Sequence, residues 1–516
     1  EAHQENIRMR NCWMQVLEDM EKEYKKAIHA ERKNTARMEQ QALATASDRD
    51  HWKDKWREQQ ISLYESQAKL EAEKEKNRKL TAQVNRDFEN SSIPSSMQPV
   101  RKKRIVNSRE RTGKRPGGQS GHKGHSRKQH SATEIHDIPA PATYQNNQDY
   151  YETGRIIRKQ KIMIQMEVKV IEYRTKEYRN RTTGARVHAS FPEGYVNEVT
   201  YDGTVKALAF LLSNECGVSH AKIRKLIYEL TKGEVELSDG MINSLCGEFS
   251  KKATEEKQEI IRRLMTSPVM NADFTNANVN GKSAQVLVLA SPSNHAALYI
   301  GKEKKGDKGI EGTPLVDFVG TVVHDHDLTF YHYGRNHQEC IQHDCRYLIS
   351  SKENEPELEW NHQMHDLIRG MLHYRNSLGA EEKLDPEIVA GYEERYDAIL
   401  DKAQEEYEYE PPSEYYKDGY NLFIRLKKFK ENELLFLHDK RVPANNSLCE
   451  RLARVFKRKQ KQAMAFRSQE SLNYVCDGLS VVYLLRNQAD SVYQKISDIF
   501  CREKPSQRIN PAGSMP

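Results

Sequence analysis

The sequence predicts a multidomain α+β protein, and three observations lead to this prediction. The chain has 516 residues, which is too many for one hydrophobic core and indicates several domains. Its first 90 residues are highly charged and contain neither Pro nor Gly, a composition that favours helix. Further along, helical patterns are interrupted by segments in which apolar and polar residues alternate, as they do in half-buried strands.

The composition narrows the class of protein. Apolar residues make up 37% of the chain and charged residues 30%, which indicates long solvated helices beside globular parts. The eight cysteines include no C-x-x-C pair, which favours a reducing compartment over a disulfide framework. The longest apolar runs are too short to cross a bilayer, and the start has no secretion signal. We therefore expect a soluble cytoplasmic protein with no membrane partner.

A seven-residue repeat predicts a coiled coil within residues 1–92. Its positions are Trp56, Leu63, Leu70, Asn77 and Val84, with Trp52 and Leu80 at the companion position. Because a polar Asn in such a seam specifies register and oligomeric state, we expect this region to join copies of the chain. Other companion positions are polar (Gln59, Ser66 and Glu73), which leaves a single solvated helix as the alternative.

Residues 93–134 form a strongly basic segment. Arg101–His130 holds eleven Lys and Arg against one acidic residue, a charge of +10, whereas the whole chain carries +6. Such a segment cannot bury a core, so we predict a flexible arm that lies along DNA phosphates or enters a minor groove. A solvated basic linker is the alternative. The cations that we assign to DNA binding are Arg101, Lys102, Lys103, Arg104, Lys114, Arg115 and Lys123.

The rest of the chain divides by pattern. Residues 135–198 predict a small β domain, because "KIMIQMEVKVIEYRTKEYR" alternates apolar and polar residues. Residues 199–265 predict a helical domain, either a helix-turn-helix-like unit or a plain helical one. The later segments are a strand-rich block (266–349), a polar helical block (350–430), a block of two helices (431–490) and a tail (491–516).

Three carboxylates are candidates for one metal site. Asp273 lies within the first predicted strand of the strand-rich block, Asp325 ends a later strand, and Glu450 opens a helix. Three antiparallel strands plus a parallel one after a crossover would bring the two aspartates together, and the helix would supply the glutamate. Hard divalent cations such as Mg²⁺ take oxygen ligands, and two of them can serve an in-line displacement at phosphorus. From the residues alone, a structural or solvated role stays open for each carboxylate.

Several separate segments carry a resemblance to a known family. They are "RPGGQSGHKGH", "NADFTNANVNGKSAQVLVLAS", "GTVVHDHDLTFYHYG", "HQECIQHDCRYL" and "RVPANNSLCERLARVFKRKQKQAMAFRS". In this order they resemble the blocks of insertion-sequence-66 family transposases, the TnpC type. The resemblance implies a DDE enzyme with an RNase H-like α/β catalytic core. It maps the catalytic and metal-binding triad to Asp273, Asp325 and Glu450, with the helical block 350–430 inserted before the glutamate.

The resemblance also implies the activity, cofactor and partners. The enzyme would bind the terminal inverted repeats of its element, cut the strand there and join the freed end to target DNA, with two Mg²⁺ or Mn²⁺ ions. We expect a homodimer or higher homo-oligomer at the bacterial nucleoid, with accessory proteins of the same element as further candidate partners.

Near the triad, Cys340 and His343 resemble the C-x-x-H pair of several DDE families, and Arg451 adjoins the glutamate. Zinc is not expected, because His337, Cys340, His343 and Cys345 fit no common zinc spacing. The region that carries a cysteine-based zinc ribbon in many relatives has no cysteine here, between residues 140 and 195.

The helix that begins near Glu450 is strongly basic. Arg454, Lys457 and Lys461 share the face of Glu450 by helical spacing, so we predict that they bind the phosphates of the same DNA. Lys459 is nine positions from the glutamate, half a turn away, and is expected on the other side. Asn445 or Asn446 is the expected N-cap.

Three other functions remain as alternatives. The first is an inactive or domesticated relative that binds DNA without cutting it. The second is a structural coiled-coil scaffold, which would account for residues 1–92 and leave the later segments unexplained. The third is a stand-alone nuclease of the same fold, which would cut DNA but not join it.

Overall fold

The computed structural model describes residues 2–44, 49–86, 90–91, 121, 127–145, 147–195, 197–379, 381–412 and 417–502. The predicted DNA-binding cations of the arm, Arg101, Lys102, Lys103, Arg104, Lys114, Arg115 and Lys123, lie outside these residues. Contacts divide the chain into two units, and Arg101–Arg174 with Ile227–Glu236 form the smaller one. Among the described helices, none combines the length and apolar character needed to cross a lipid bilayer.

The first two helices pair with each other inside one chain. They are α1 (Ala2–Ala44) and α2 (Arg49–Asn85). Trp56 of α2 donates to Glu39 of α1 at 3.0 Å, and Ser62 donates to Glu31 at 3.0 Å, so the two helices run antiparallel. Leu70, one of the predicted seam positions, is buried. The seven-residue repeat therefore has a partner in α1, and joining of copies through it stays a prediction.

The segment predicted as a small β domain contains little sheet. Its elements are α3 (Ala142–Gln145), β1 (Tyr178–Arg179) and β2 (Arg186–Val187), and β1 pairs antiparallel with β2. The prediction of half-buried strands across "KIMIQMEVKVIEY" was wrong, because these residues have no sheet partner and Ile164 is 96% exposed. Alternating residues bury one face only where another layer covers it, and the described part of this segment provides no such layer.

Five helices form a helical layer. They are α4 (Gly203–Asn214), α6 (Asp239–Lys252), α7 (Thr254–Met265), α15 (Gln469–Arg486) and α16 (Val492–Cys501). Helix α5 (His220–Leu230) lies between α4 and α6 in the chain. Polar residues set two of the starts, since Asp202 caps α4 and Ser238 caps α6 through their side chains. The rings of Phe210, Phe249 and Phe500 pack together between α4, α6 and α16.

A five-stranded mixed sheet lies at the centre of the larger unit. Its strands are β3 (Val269–Val279), β4 (Lys282–Ser291), β5 (Ala296–Lys302), β6 (Thr321–His324) and β7 (Asn336–Glu339). The order is β5-β4-β3-β6-β7, with β3, β4 and β5 antiparallel and β6 and β7 parallel to β3. Asn280 and Gly281, both at positive φ, form the two-residue turn between β3 and β4 that such residues favour.

Helices surround the far end of the sheet. They are α8 (Asp307–Ile310), α9 (Ile341–Asn354), α10 (Trp360–Ser377), α11 (Pro386–Tyr409), α12 (Asp418–Lys428), α13 (Lys430–Leu434) and α14 (Ser447–Ala463), with short 3₁₀ turns at 314–317, 328–332 and 435–437. Helices α9 to α13 share a core around the fully buried Trp360, Tyr396 and Phe423. Helix α14 then packs on β3 and β4. The overall α+β class predicted from the sequence is confirmed.

Candidate active site

Two parallel strands place Asp273 and Asp325 side by side. The register pairs Asn271 of β3 with Val323 of β6. When this register is continued by two residues along both strands, Asp273 lies opposite Asp325. Neighbouring strands are separated by about 4.8 Å, so the two carboxyl groups lie at adjacent positions at the end of β6.

Asn446 fixes the start of α14 against the same edge of β3. Its side chain accepts from Asn271 at 2.9 Å and donates to the Ala272 carbonyl at 2.8 Å, and its backbone N–H donates to Cys340 Sγ at 3.2 Å. Ala272 immediately precedes Asp273 in β3, and Glu450 lies one turn after Asn446 in α14. The fully buried Asn446 therefore sets the distance between the glutamate and the aspartates.

The three carboxylates influence one another electrostatically. Burial, followed by the negative charges of Asp325 and Glu450, holds the pKa of Asp273 well above its usual range. Burial also raises the pKa of Asp325, and the charge of Asp327 adds to this increase. Each added negative charge near a buried carboxyl group disfavours its ionised form. We call Asp273, Asp325 and Glu450 the acidic triad.

Within the triad, Glu450 is the member held by cations. Arg346 donates to its Oε1 at 3.3 Å, and Arg454 donates to its Oε2 at 3.4 Å. Among described residues, the oxygens of the three triad carboxylates do not all lie within 4.8 Å of one another, whereas Glu450 does form such a group with Cys340 and His343. The structure thus brings the triad to one place with Glu450 turned towards arginine.

The predicted near-site residues have different surroundings. Cys340 is fully buried, and burial raises the pKa of its thiol to about 12. Burial lowers the pKa of His343 to about 4, with the charge of Arg346 as the next cause, so the ring is neutral at physiological pH. Arg451 is exposed on α14. His337 lies in β7 and Cys345 in α9, and no described group of candidate ligands joins them to Cys340 and His343.

One lysine of the basic helix α14 is buried. Arg454, Lys457 and Lys461 are exposed, and Lys457 Nζ donates to the Asn276 carbonyl of β3. Lys459, predicted on the opposite side, is only 5% exposed and donates to the Ser213 carbonyl at 2.7 Å. Lys459 is therefore a packing residue of α4 and α14, because the far face of α14 is covered by the helical layer.

Sequence analysis missed Lys305. This residue follows β5 in a turn whose Gly306 has a φ of 83°, and its ammonium lies 3.8 Å from Asp327. Its positive charge lowers the pKa of both Asp273 and Asp325. The next residue but one, Asp307, accepts from the Tyr333 hydroxyl at 3.0 Å, which holds the turn in place. The run "KEKKGDK" was the sequence signal for a cation at this edge.

The donor set of the triad fits a hard divalent cation. All three side chains offer carboxylate oxygens, the ligands that Mg²⁺ and Mn²⁺ take. Burial, followed by the charges of Asp325 and Glu450, raises the pKa of Asp273, so its ionised form is disfavoured. A cation among these oxygens would favour the ionised form.

Comparisons with known proteins agree with the geometry on the class of protein. No curated protein matches the chain. The model of the Transposase IS66 family matches residues 204–474, which is just over half of the chain and contains the mixed sheet, α14 and all three triad residues. The resemblance found in the sequence is thereby confirmed, and the chain belongs to the IS66 family of transposases.

Proposed function

We propose that this transposase cuts and joins DNA at the acidic triad. The observation that carries the proposal is the parallel register of β3 and β6, which brings Asp273 level with Asp325. Asn446 then anchors the helix of Glu450 to the residue beside Asp273. A raised carboxyl pKa produced by burial and by like charges is typical of functional sites.

The order of the strands also supports a proposal for the fold of the core. The order β5-β4-β3-β6-β7, with three antiparallel strands followed by two parallel ones, supports an RNase H-like core. We propose that 266–349 and 431–490 make up this core and that 350–430 is a helical insertion. We further propose that 1–92 joins copies, that 93–134 is the DNA-binding arm, that 135–198 and 199–265 are separate modules, and that 491–516 is a tail.

Each residue of the acidic triad has its own role in the proposed mechanism. Asp273 and Asp325 would hold the ions, and Glu450 would be a further ligand once it is released from Arg346 and Arg454. Two Mg²⁺ or Mn²⁺ ions would supply charge stabilisation to the attacking and leaving oxygens of an in-line displacement. Neutral His343, beside Glu450, can accept a hydrogen bond from a water or a 3′-hydroxyl. The same residues serve strand cleavage and strand transfer.

DNA phosphates would be held by cations around the triad. Arg454, Lys457 and Lys461 lie exposed along α14, starting one turn after Glu450, and Lys305 approaches from the turn after β5. The proposed arm would add contacts that do not depend on sequence. Because transposition joins two DNA ends to a target, we propose that a homodimer or larger assembly, with accessory proteins of the element, acts at the bacterial nucleoid in the cytoplasm.

The test is cleavage and joining of DNA that carries the ends of the element. With Mg²⁺ or Mn²⁺, the wild-type chain should cut and join, and Asp325→Asn should lose at least about 100-fold in rate, the scale of several kcal/mol of charge stabilisation. Asp317→Asn is the matched control, since Asp317 is exposed on the 3₁₀ turn before β6.

The outcomes separate the alternatives. An Asp325→Asn variant that cuts at the wild-type rate would remove the triad assignment, and loss of cutting in Asp317→Asn alone would relocate the site. Binding of end DNA with no cutting by the wild-type chain would favour an inactive DNA-binding relative. Cutting without any joined product would favour a nuclease.

A further inference from the structure

A second group of metal-ligating side chains lies beside the acidic triad. A ring nitrogen of His326 and carboxylate oxygens of Asp344 and Glu433 all lie within 4.8 Å of one another. The three residues come from the loop after β6, from α9 and from α13. We call them the buried acidic cluster.

Burial distinguishes this cluster from surface acidic groups. Asp344 is 0% and Glu433 is 1% exposed. The Nε2 atom of His326 lies 3.1 Å from Asp344 Oδ1. No N–H donor of the described residues reaches either carboxylate oxygen of Glu433. Buried polar groups are usually hydrogen-bonded, so a fully buried carboxyl group without a donor points to a missing ligand.

The neighbouring cation is already engaged. Glu339, which is fully buried, accepts from Arg425 Nε at 2.8 Å and from the Tyr331 hydroxyl at 2.7 Å. Arg425 donates to both carboxylate oxygens of Glu339. It therefore neutralises Glu339. Asp344 has the ring of His326 beside it, whereas no cation of the described residues pairs with the carboxyl group of Glu433.

The formal charges specify the missing ligand. With the carboxyl groups of Glu339, Asp344 and Glu433 ionised, their negative charge exceeds the charges of Arg425 and a protonated His326 by one. Transfer of unbalanced charge into a protein interior is costly. One divalent cation bound by a neutral His326 would bring the formal charge of the group to zero. In its absence, burial and the charges of Asp344 and Glu339 hold the pKa of Glu433 well above its usual range, so a proton occupies the place.

We propose that His326, Asp344 and Glu433 bind a divalent transition-metal ion of the Zn²⁺ or Mn²⁺ class at a structural site separate from the acidic triad. An imidazole combined with two carboxylates suits these ions. Mg²⁺ keeps several waters and is seldom held by an all-protein set of ligands, so the buried cluster is a poor site for it.

The ion would connect three elements around the catalytic loop. His326 directly follows Asp325 of the triad, Asp344 lies on the first helix after β7, and Glu433 lies on the short helix before α14. Metal ligation of His326 would fix the backbone beside Asp325. A structural ion in the buried cluster would therefore stabilise the fold and hold one triad residue in position.

The experiment measures metal content and unfolding in the full chain. Purified Asp273→Asn/Asp325→Asn protein, which lacks the triad site, is loaded with Zn²⁺ or Mn²⁺, freed of loose ions and analysed by mass spectrometry of the elements. We expect about one equivalent per chain and a higher unfolding midpoint than in the chelator-treated protein. Adding Glu433→Gln should lower the ion affinity more than about 10-fold.

The control is Glu431→Gln, which removes an exposed carboxylate from the same helix and should keep the ion. Retention of the ion by Glu433→Gln, or its loss in Glu431→Gln, would overturn the assignment. So would a chain that takes up no ion and has the same unfolding midpoint with metal and with chelator, since a proton alone would then neutralise the cluster. If Glu433→Gln fails to fold, Asp344→Asn takes its place, and retention of the ion by that variant would overturn the assignment.

Discussion

Two groups of carboxylates meet at the peptide bond between Asp325 and His326, and their surroundings differ. The triad residues are half-buried, whereas Asp344 and Glu433 are buried. Asp325 belongs to the acidic triad, whose charges are only partly offset by Lys305, Arg346 and Arg454, all outside the core. His326 belongs to the buried acidic cluster, and the neighbouring Glu339 has a guanidinium of its own. The charges of Asp325 and Glu450 add to the effect of burial in raising the pKa of Asp273. The pKa of Glu339 is lowered despite its burial, and the hydrogen bonds from Arg425 are the largest cause that opposes burial.

The same edge of the sheet therefore carries two groups of charged residues with different roles. Unbalanced charge beside exposed cations is available to ions and DNA, at a cost in stability. Charge that is paired inside the core stabilises the position of its neighbours. Variants that change one group at a time test whether the two groups differ in this way.

The largest stability effect is expected from Arg425→Met. Removal of the guanidinium leaves Glu339 buried without its cation, which should cost about 3–5 kcal/mol of unfolding free energy. The pKa of Glu339 is lowered in the folded chain, so its contribution is present above the unfolded pKa and is lost as pH falls through the folded pKa. The loss in Arg425→Met should therefore shrink in acid.

Denaturant unfolding at neutral and acidic pH measures this loss. Arg395→Met, which removes an exposed arginine from α11, is the control and should be close to neutral. A loss below about 1 kcal/mol in Arg425→Met, the range of an exposed ion pair, would show that the Arg425–Glu339 pair does not hold the cluster.

A buried carboxyl group with hydroxyl partners provides the reference for burial alone. Glu355 accepts from Ser351 at 3.0 Å, and burial raises its pKa to about 7. Because the folded pKa is raised, the stability it contributes is complete below the unfolded pKa of about 4.3 and is lost as pH rises through 7. Glu355→Gln should gain on the order of 2–3 kcal/mol over the wild type between pH 4 and pH 8.5.

Unfolding free energies at these two pH values test the prediction for Glu355. Glu381→Gln, at an exposed position, should show no such pH-dependent gain. A difference between Glu355→Gln and the wild type that does not change with pH would mean that Glu355 ionises normally in the folded chain.

Asp273→Asn should change stability in the direction opposite to Arg425→Met. The substitution removes one of the repelling carboxylates and conserves the shape of the side chain. Without divalent ions, the free energy of unfolding of the variant should therefore be about 1–2 kcal/mol higher than that of the wild type. Thermal or denaturant unfolding in chelator measures the gain, and Mg²⁺ should reduce it by stabilising the wild type only. A variant less stable than the wild type in chelator would show that Asp273 is already neutralised in the fold.

The smallest effect concerns DNA affinity. Lys457→Ala removes an exposed cation of α14 and should weaken binding to element ends about 5-fold, corresponding to roughly 1 kcal/mol for one phosphate contact. Lys495→Ala removes an exposed cation from α16 and should have little effect. The measurement compares the DNA affinities of the two variants at one fixed salt concentration. Equal losses of affinity in both variants would indicate that α14 acts only as part of a diffuse positive surface.

The sequence predicted those parts of the fold that depend on local pattern. Four apolar segments correspond to β3, β4, β5 and β6, and the α+β class was confirmed. Burial that depends on distant residues was not predicted. Lys459 has the spacing of a surface lysine, and only the position of Ser213 in α4 shows that its face is covered. Conversely, the pattern of 161–173 indicated strands, but alternation does not provide the second layer that strands need.

The residues of the candidate site also fall into those that local pattern predicted and those that only the tertiary fold brings together. Asp273, Asp325 and Glu450 were predicted from the ends of strands and the start of a helix, and from the family resemblance. Their catalytic role stays a prediction. Lys305 was missed because the run "KEKKGDK" does not show which lysine faces the aspartates, and Arg346 was missed because its local pattern does not distinguish it from other arginines. The buried acidic cluster was missed because its residues belong to separate elements that only the tertiary fold brings together.

Iron-directed backbone cleavage tests most directly whether the triad binds metal. Fe²⁺ replaces the divalent ion, peroxide and ascorbate generate radicals at the ion, and mass spectrometry locates the cut peptide bonds. In the Glu433→Gln background, which removes the proposed second site, we predict cuts near Asp273 and Glu450 that Mg²⁺ suppresses by competition. Cuts near Asp344 but none near Asp273 or Glu450 would contradict the account, because the ion would then lie away from the triad.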